Sequence, residues 1–251
     1  MFYLIGIGLK PKHITLEAIS AIKDCNEVYL EKYTSQYVEG ENAKLEEIIG
    51  KKVVLINREE VEVDFENKIK ECKEKNIALL IFGNALTATT HIQLLIDAKE
   101  AGIDYKVIPG ISVTNTIAES GLDEYKFGRT VTICYHLPNF EPESFYDQIL
   151  ANQKLGLHTL CLLDIKKDQA NEMMMNANEA IAILEKIKAK RNDENNFEYL
   201  ALVGMTNSNQ KIVFGKEKIN KCKEVNEIFP QSLIVLGKAN EKEMEAIKLY
   251  E

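Results

Sequence analysis

Apolar residues in this chain come in short runs, each stopped by glycine or proline and followed by a polar stretch with helical spacing. Phe2 to Ile7 is apolar and ends in Gly6-Ile7-Gly8; Ile77 to Phe82 is a continuous apolar run that ends in Gly83-Asn84. Runs of that length bounded by turn residues predict strands of a parallel sheet covered on both faces. Between them, Thr15 can cap a helix with Leu16, Ile19 and Ile22 on one face. Val28-Tyr29-Leu30 predicts a strand leading into the polar loop Glu31-Lys32-Tyr33-Thr34-Ser35. Leu45 to Ile49 predicts a short helix, Val53 to Ile56 a strand, and Phe65 to Glu74 a helix with a charged face. After Gly83, small and hydroxyl residues run to His91, and Thr89 or Thr90 is expected to cap the next helix. That helix carries Ile92, Leu94, Leu95, Ile96 and Ala98, dense enough for a buried element. Tyr105 to Ile108 predicts a strand, Pro109-Gly110 a turn, and Ser112 the cap of a helix through Ser120.

From Thr130 the texture changes. Strands are expected over Thr130 to Tyr135, His158 to Leu163, Tyr199 to Val203, Ile212 to Phe214 and Leu233 to Leu236. Helices are expected over Pro142 to Leu155, over Asn178 to Lys190 with Ile181, Leu184 and Ile187 in phase, and from Glu241 on. Arg191 to Asn196 reads as a polar surface loop, and Met173-Met174-Met175 as apolar filler. Strand-helix alternation with short connections predicts an α/β fold: an N-terminal domain, 1–111, with a mostly parallel sheet, and a C-terminal α+β domain, 112–251, with a mixed sheet. The joint falls near Ile111 to Gly121.

A length of 251 residues suffices for two such domains. The net charge of −8 argues against broad attraction to nucleic acid or to an anionic membrane surface. Five widely spaced cysteines without a CxxC, and four histidines without ligand spacing, argue for reduced thiols in the cytoplasm and against structural zinc. Met1 to Leu9 is too short to span a membrane and lacks a basic lead and cleavage site.

Gly6-x-Gly8 after the first strand, with Glu31 past the second, invites a dinucleotide site, but no third glycine follows and Lys10-Pro11-Lys12 stands where the helix should begin. Gly110-Ile111-Ser112-Val113-Thr114 starts like a nucleophile elbow and has Thr114 in place of its second glycine. There is no GxxxxGK[ST] phosphate loop. The loop from Gly83 to Thr90, at the carboxyl edge of a sheet, remains the best place for a ligand.

Six blocks, in order, resemble the diphthine synthase family: FYLIGIGL from Phe2, VYLEKYTS from Val28, GNALTATTH from Gly83, SGLDEYKFG from Ser120, GLHTLCLLDIK from Gly156 and SLIVLGK from Ser232. The glycine-bounded start and the strand-loop are shared with the wider tetrapyrrole methylases. The resemblance implies an S-adenosylmethionine-dependent methyltransferase with two α/β domains, the cofactor in the cleft between them, and a homodimer; a sulfonium methyl is already activated, so its transfer needs no metal. The implied substrate is the 3-amino-3-carboxypropyl histidine of translation elongation factor 2, methylated on its amine toward diphthamide, with S-adenosylhomocysteine as by-product. The segment between Lys166 and Tyr199 is closer to the archaeal pattern, in which the amine becomes trimethylated.

Carried over position by position, the family's cofactor contacts fall on Leu9, Asn84, Thr87, Ser112, Val113, Leu163, Thr206 and Gln231. Three places depart from the family. Gly83-Asn84-Ala85 replaces Gly-Asp-Pro, Met205-Thr206-Asn207-Ser208 replaces Arg-x-Gly-Ser, and Gln231 stands where histidine is common. A methylated amine must first lose a proton, and Glu31, Tyr33, His91, His158 and Asp164 are all candidates for receiving it. The alternatives are a small-molecule methylase of the tetrapyrrole type, read from the shared start, and a non-catalytic elongation-factor-binding protein, read from Asn84. Turnover of a porphyrinoid or corrinoid precursor would mark the first, and factor binding without cofactor affinity the second.

Overall fold

The computed structural model describes residues 1–168 and 171–250. The chain forms two compact units: Met1–Val113, with which Lys167 packs, and Thr114–Lys166 together with the chain from Asn171.

The first unit runs β1 (Phe2–Gly6), α1 (Leu16–Lys23), β2 (Glu27–Glu31), α2 (Asn42–Ile49), β3 (Val54–Ile56), α3 (Phe65–Glu71), β4 (Ile77–Ile81), α4 (Ile92–Glu100) and β5 (Tyr105–Ile108). Its five strands are all parallel, in the order β3-β2-β4-β1-β5. The period-two alternation of a strand explains the unbroken apolar run at its centre. Ile77, Leu79 and Ile81 of β4 enter the core beneath α3 and α4, whereas Ala78 and Leu80 enter the opposite core with α1 and α2. Both faces are covered, so no polar position is left in the strand. Thr15 caps α1 as expected, its hydroxyl accepting from the Ala18 amide at 3.0 Å.

Three local expectations are corrected. Leu16 is 85% exposed, and the buried face of α1 is Ala18 and Ile22. α4 buries Leu94, Leu95 and Ala98 but exposes Ile92 and Ile96, so it is an ordinary surface helix with one core face. Neither Thr89 nor Thr90 caps it: His91 occupies the N-cap position without a side-chain cap bond, and the Thr89 hydroxyl donates back to the Ala85 carbonyl at 2.7 Å. Loop closure takes the hydroxyl that sequence assigned to the helix.

A helical turn, α5 (Val113–Thr116), continues as a 3₁₀ turn over Ile117–Ser120. Beyond it lie β6 (Val131–Ile133), α6 (Ser144–Lys154), β7 (Thr159–Leu163), the two-stranded β8 (Ile165–Asp168) and β9 (Asn171–Met174), α7 (Ala177–Arg191), β10 (Tyr199–Val203), β11 (Lys211–Phe214), α8 (Lys216–Lys221), β12 (Gln231–Val235) and α9 (Glu241–Ile247). The sheet order β11-β10-β12-β7-β6 is antiparallel except for the parallel β6–β7 pair. This is the expected mixed sheet. Ile181, Leu184 and Ile187 of α7 fill one core, with Cys161, Ala201 and Leu233 from the strands. The pair β8–β9 and helix α8 have no counterpart in the sequence reading, because their short polar segments carry no clear period. Met173 and Met174 belong to β9, and Met175 is buried in the core.

α9 is fixed by a buried carboxylate. Glu243 closes a capping box with Asn240, accepts from the Asp123 amide at 2.9 Å, pairs with Lys126, and accepts from His158 Nε2 at 3.0 Å. His158 Nδ1 in turn accepts from the Gly237 amide at 2.9 Å, so the ring is neutral with its proton on Nε2. A second proton would oppose that amide, and burial likewise holds the His158 pKa below its usual value. Burial alone would raise the Glu243 carboxyl, but Lys126, the Asn240 and Asp123 amides and His158 bring it down to about 2. An acid whose folded pKa lies below its unfolded value stabilises above the unfolded value. We therefore expect Glu243→Gln to cost about 2–3 kcal/mol at pH 7 in urea denaturation, a difference that persists down to about pH 4.5 and vanishes toward pH 2.

Candidate functional site

The carboxyl ends of β1, β4 and β5 come together backbone against backbone. A Cβ on Gly6 would lie 2.7 Å from both the Gly110 nitrogen and the Gly83 oxygen, and one on Gly110 would overlap the Gly83 carbonyl. Gly8 and Gly83 exchange both amide bonds, at 3.0 and 2.9 Å, and each holds a positive φ (77° and 73°). Five of the residues that sequence assigned to the cofactor stand on or beside this junction. Leu9 follows Gly8, half-buried, and its carbonyl accepts from the Val38 amide at 2.9 Å. Asn84 follows Gly83; its Oδ1 accepts from the Leu86 amide at 3.1 Å and its Nδ2 donates to the Gly110 carbonyl at 3.4 Å. Thr87 closes the turn by donating its amide to the Asn84 carbonyl at 3.2 Å. Ser112 is buried and reaches the space over Gly83, with Val113 next to it. The edge offers amides, carbonyls and neutral side chains, a donor set that suits a ligand with a carboxylate, a purine and no net negative charge.

The other three residues lie in the second unit, at one end of its sheet. Gln231 pairs with Val203, and Leu163 is one step beyond the Leu162–Ser232 pair. Thr206 lies in the turn after Val203, at φ 75°, a conformation strained for a β-branched residue. Its amide donates to Gln210 Oε1 at 2.5 Å. The Gln231 side chain is committed to structure: Oε1 accepts from the Ala177 amide at 3.0 Å, and Nε2 donates to the Val225 and Ile228 carbonyls at 2.7 and 2.8 Å. Only its backbone is left to face a ligand. Each unit thus gathers its own subset at one sheet edge.

The five candidate proton acceptors separate clearly. His158 is fully occupied beneath α9, and Asp164 Oδ2 accepts from the Tyr135 amide at 3.1 Å. Glu31, Tyr33 and His91 converge instead on one another in the first unit. Sequence placed Glu31 in a polar loop; it is the last residue of β2 and wholly buried. Burial pushes its carboxyl up to about 7, against the Thr34 hydrogen bonds and the charges of Arg58 and Lys167. Burial also lowers the His91 pKa and raises that of Tyr33.

The family model for the Tetrapyrrole (Corrin/Porphyrin) Methylases matches residues 1–219. The chain belongs to this family, a class of S-adenosylmethionine-dependent methyltransferases. Its relatives within the family are more specific. It is 39% identical over 220 residues to the diphthine synthase of Methanococcus aeolicus, covering 86% of this chain and 85% of that protein. It is 44% identical over 177 residues to the human diphthine methyl ester synthase, covering 70% of this chain and 62% of that longer protein. A crystal structure attributed to diphthine synthase from Entamoeba histolytica matches with a TM-score of 0.86 at 31% identity, over all of this chain and 98% of that one. The α/β fold with a parallel first sheet and a mixed second sheet, expected from the strand pattern, is the one observed.

The glycine junction leaves no volume for a methyl group. Gly110→Ala should lower cofactor affinity at least tenfold in isothermal titration calorimetry, because the Gly83 carbonyl must move and takes Asn84 with it. Asn84→Ala loses two hydrogen bonds worth about 1 kcal/mol each and should weaken binding by roughly an order of magnitude.

Proposed function

We propose that the protein methylates the amine of the 3-amino-3-carboxypropyl histidine of translation elongation factor 2, on the route to diphthamide. The observation that carries this reading is the 39% identity with the Methanococcus aeolicus diphthine synthase over most of both chains. Leu9, Asn84, Thr87, Ser112 and Val113 from the first unit and Leu163, Thr206 and Gln231 from the second are the proposed cofactor residues. When bound, S-adenosylmethionine supplies a sulfonium methyl already activated for displacement by nitrogen, and S-adenosylhomocysteine is left. The work of the chain is to bind, orient and keep water out, and none of these tasks calls for a metal. Backbone groups of the Asn84–Thr87 turn and the Leu9 carbonyl would supply polar contacts to it, and Val113 and Leu163 apolar ones.

The partner in this reading is a protein, not nucleic acid, in keeping with the net charge of −8. Five free cysteines suit the cytoplasm, where translation factors work. Among the described residues no helix is long and apolar enough to cross a membrane. A homodimer is proposed on the family resemblance. A second reading is favoured by the human relative, whose name is that of a methyl ester synthase: a carboxylate of the same side chain as a further acceptor.

Mass spectrometry of elongation factor 2 carrying the aminocarboxypropyl group, after incubation with enzyme and cofactor, tests these readings. Mass gain of one or more methyl groups on the amine is the expected result. Base-labile methyl would indicate the ester, and an unmodified factor beside a methylated porphyrinoid would reject both.

A further inference from the structure

Glu31 and His91 present two buried acceptor atoms to each other. Glu31 Oε1 accepts from the Thr34 hydroxyl, while Oε2, wholly buried, has no hydrogen-bond partner among the described residues. His91 is 2% exposed and turns Nδ1 to the Ala85 carbonyl at 3.1 Å. A carbonyl only accepts, so Nδ1 carries the proton of the neutral ring and Nε2 presents a lone pair. That lone pair lies 3.7 Å from Glu31 Oε2 and 3.4 Å from the Tyr33 hydroxyl. Protonation of the carboxyl would remove the negative charge that Oε2 holds against this lone pair.

The surroundings decide how readily that proton comes and goes. Arg58, its guanidinium 4.9 Å over the Tyr33 ring, and Lys167 favour the ionised carboxyl; Glu31 and Glu62 are the acidic groups acting on Tyr33, and Glu62 acts on His91. Burial outweighs them and places the Glu31 carboxyl at about 7, where it both takes and releases a proton at neutral pH. Thr34, whose hydroxyl holds the carboxyl, is itself only half-buried. The pair is also tied to the loop proposed for the cofactor, since His91 and Thr89 both bond the carbonyl of Ala85, the residue after Asn84.

We propose that Glu31, acting through the Thr34 hydroxyl and with the His91 Nε2 lone pair facing its other oxygen, takes up the proton that the substrate amine loses before each methyl transfer. This rests on the methyltransferase reading above. The substrate ammonium gives a proton to the Thr34 oxygen as the Thr34 hydroxyl proton passes to Glu31 Oε1, which it already bonds. The lone pair freed on nitrogen then forms the bond to the methyl carbon, and the electron pair of the broken carbon–sulfur bond stays on sulfur. Glu31 returns its proton to water through Thr34 before the next transfer.

The test is the rate of labelled-methyl transfer to elongation factor 2 carrying the aminocarboxypropyl group, measured from pH 5.5 to 9, with cofactor affinity measured beside it. For the unaltered enzyme, kcat/KM should rise about tenfold per unit below about pH 7 and bend there. Glu31→Gln, isosteric with the protonated acid, should lose roughly 100-fold or more in kcat and the bend, with cofactor affinity unchanged within about threefold. Thr34→Val removes the hydrogen bond that lowers the Glu31 pKa, so it should slow transfer and move the bend to higher pH. Folding is checked by thermal melting at pH 8, where Glu31→Gln should melt no lower than the parent because it removes a buried charge. Near-normal kcat with the bend retained in Glu31→Gln would overturn the proposal, as would equal losses of kcat and cofactor affinity. If the unaltered enzyme transfers nothing to the factor, the functional reading fails and this role falls with it. Transfer by both enzymes at equal rates removes this role alone.

Discussion

The close approach of three backbone segments at Gly6, Gly83 and Gly110 is the constraint on which the first unit's chemistry depends. Parallel strands place all their carboxyl ends on one edge, and adjacent strands sit only about 4.8 Å apart. Bringing the exits of β4, β1 and β5 to that edge without side chains between them requires residues that have none. The Gly8–Gly83 amide exchange then fixes the height of both loops, and the Asn84 bond to Gly110 ties in the third. Leu9, Asn84 and Ser112 owe their proximity to contacts between main-chain atoms, which is why so little of it shows in side-chain chemistry.

Two buried histidine–glutamate pairs on one chain show how the same residue types are put to different uses. In the pair beneath α9, Glu243 accepts from a lysine, two amides and His158, and His158 has a partner at each ring nitrogen. A network so fully satisfied favours one protonation state and rigidifies the helix it holds. In the pair at the end of β2, Glu31 has one oxygen without a partner among the described residues and a carboxyl displaced toward neutrality. Keeping an unsatisfied acceptor buried is costly, and such costs concentrate at functional positions.

Two of the three departures from the family pattern have structural accounts of their own. Asn84 has an amide donor that a carboxylate lacks, and it spends that donor on the Gly110 carbonyl. Gln231 makes three hydrogen bonds that join the start of α7 to the segment preceding β12, a bridging role for a long amide with both donor and acceptor. Neither substitution leaves a buried charge without compensation.

The local pattern of the chain carried the order of most elements, a mostly parallel first sheet and a mixed second one. Continuous apolar runs such as Ile77 to Phe82 fit no exposed surface, and the phase of Ile181, Leu184 and Ile187 fits only a helix with one core face. It also carried the blocks that mark the family, since those residues are local strings. Tertiary structure alone decided which residues meet. Glu31 and His91 are sixty positions apart and look like loop polars; the adjacent β2 and β4 bring them together and bury them. The Thr89 hydroxyl went to a loop carbonyl rather than a helix cap, and Gln231 became a structural bridge, because each found a nearer unsatisfied group in three dimensions than along the chain. Hydrophobic periodicity is a property of neighbours in sequence, whereas the pairing of buried polar atoms depends on neighbours in space.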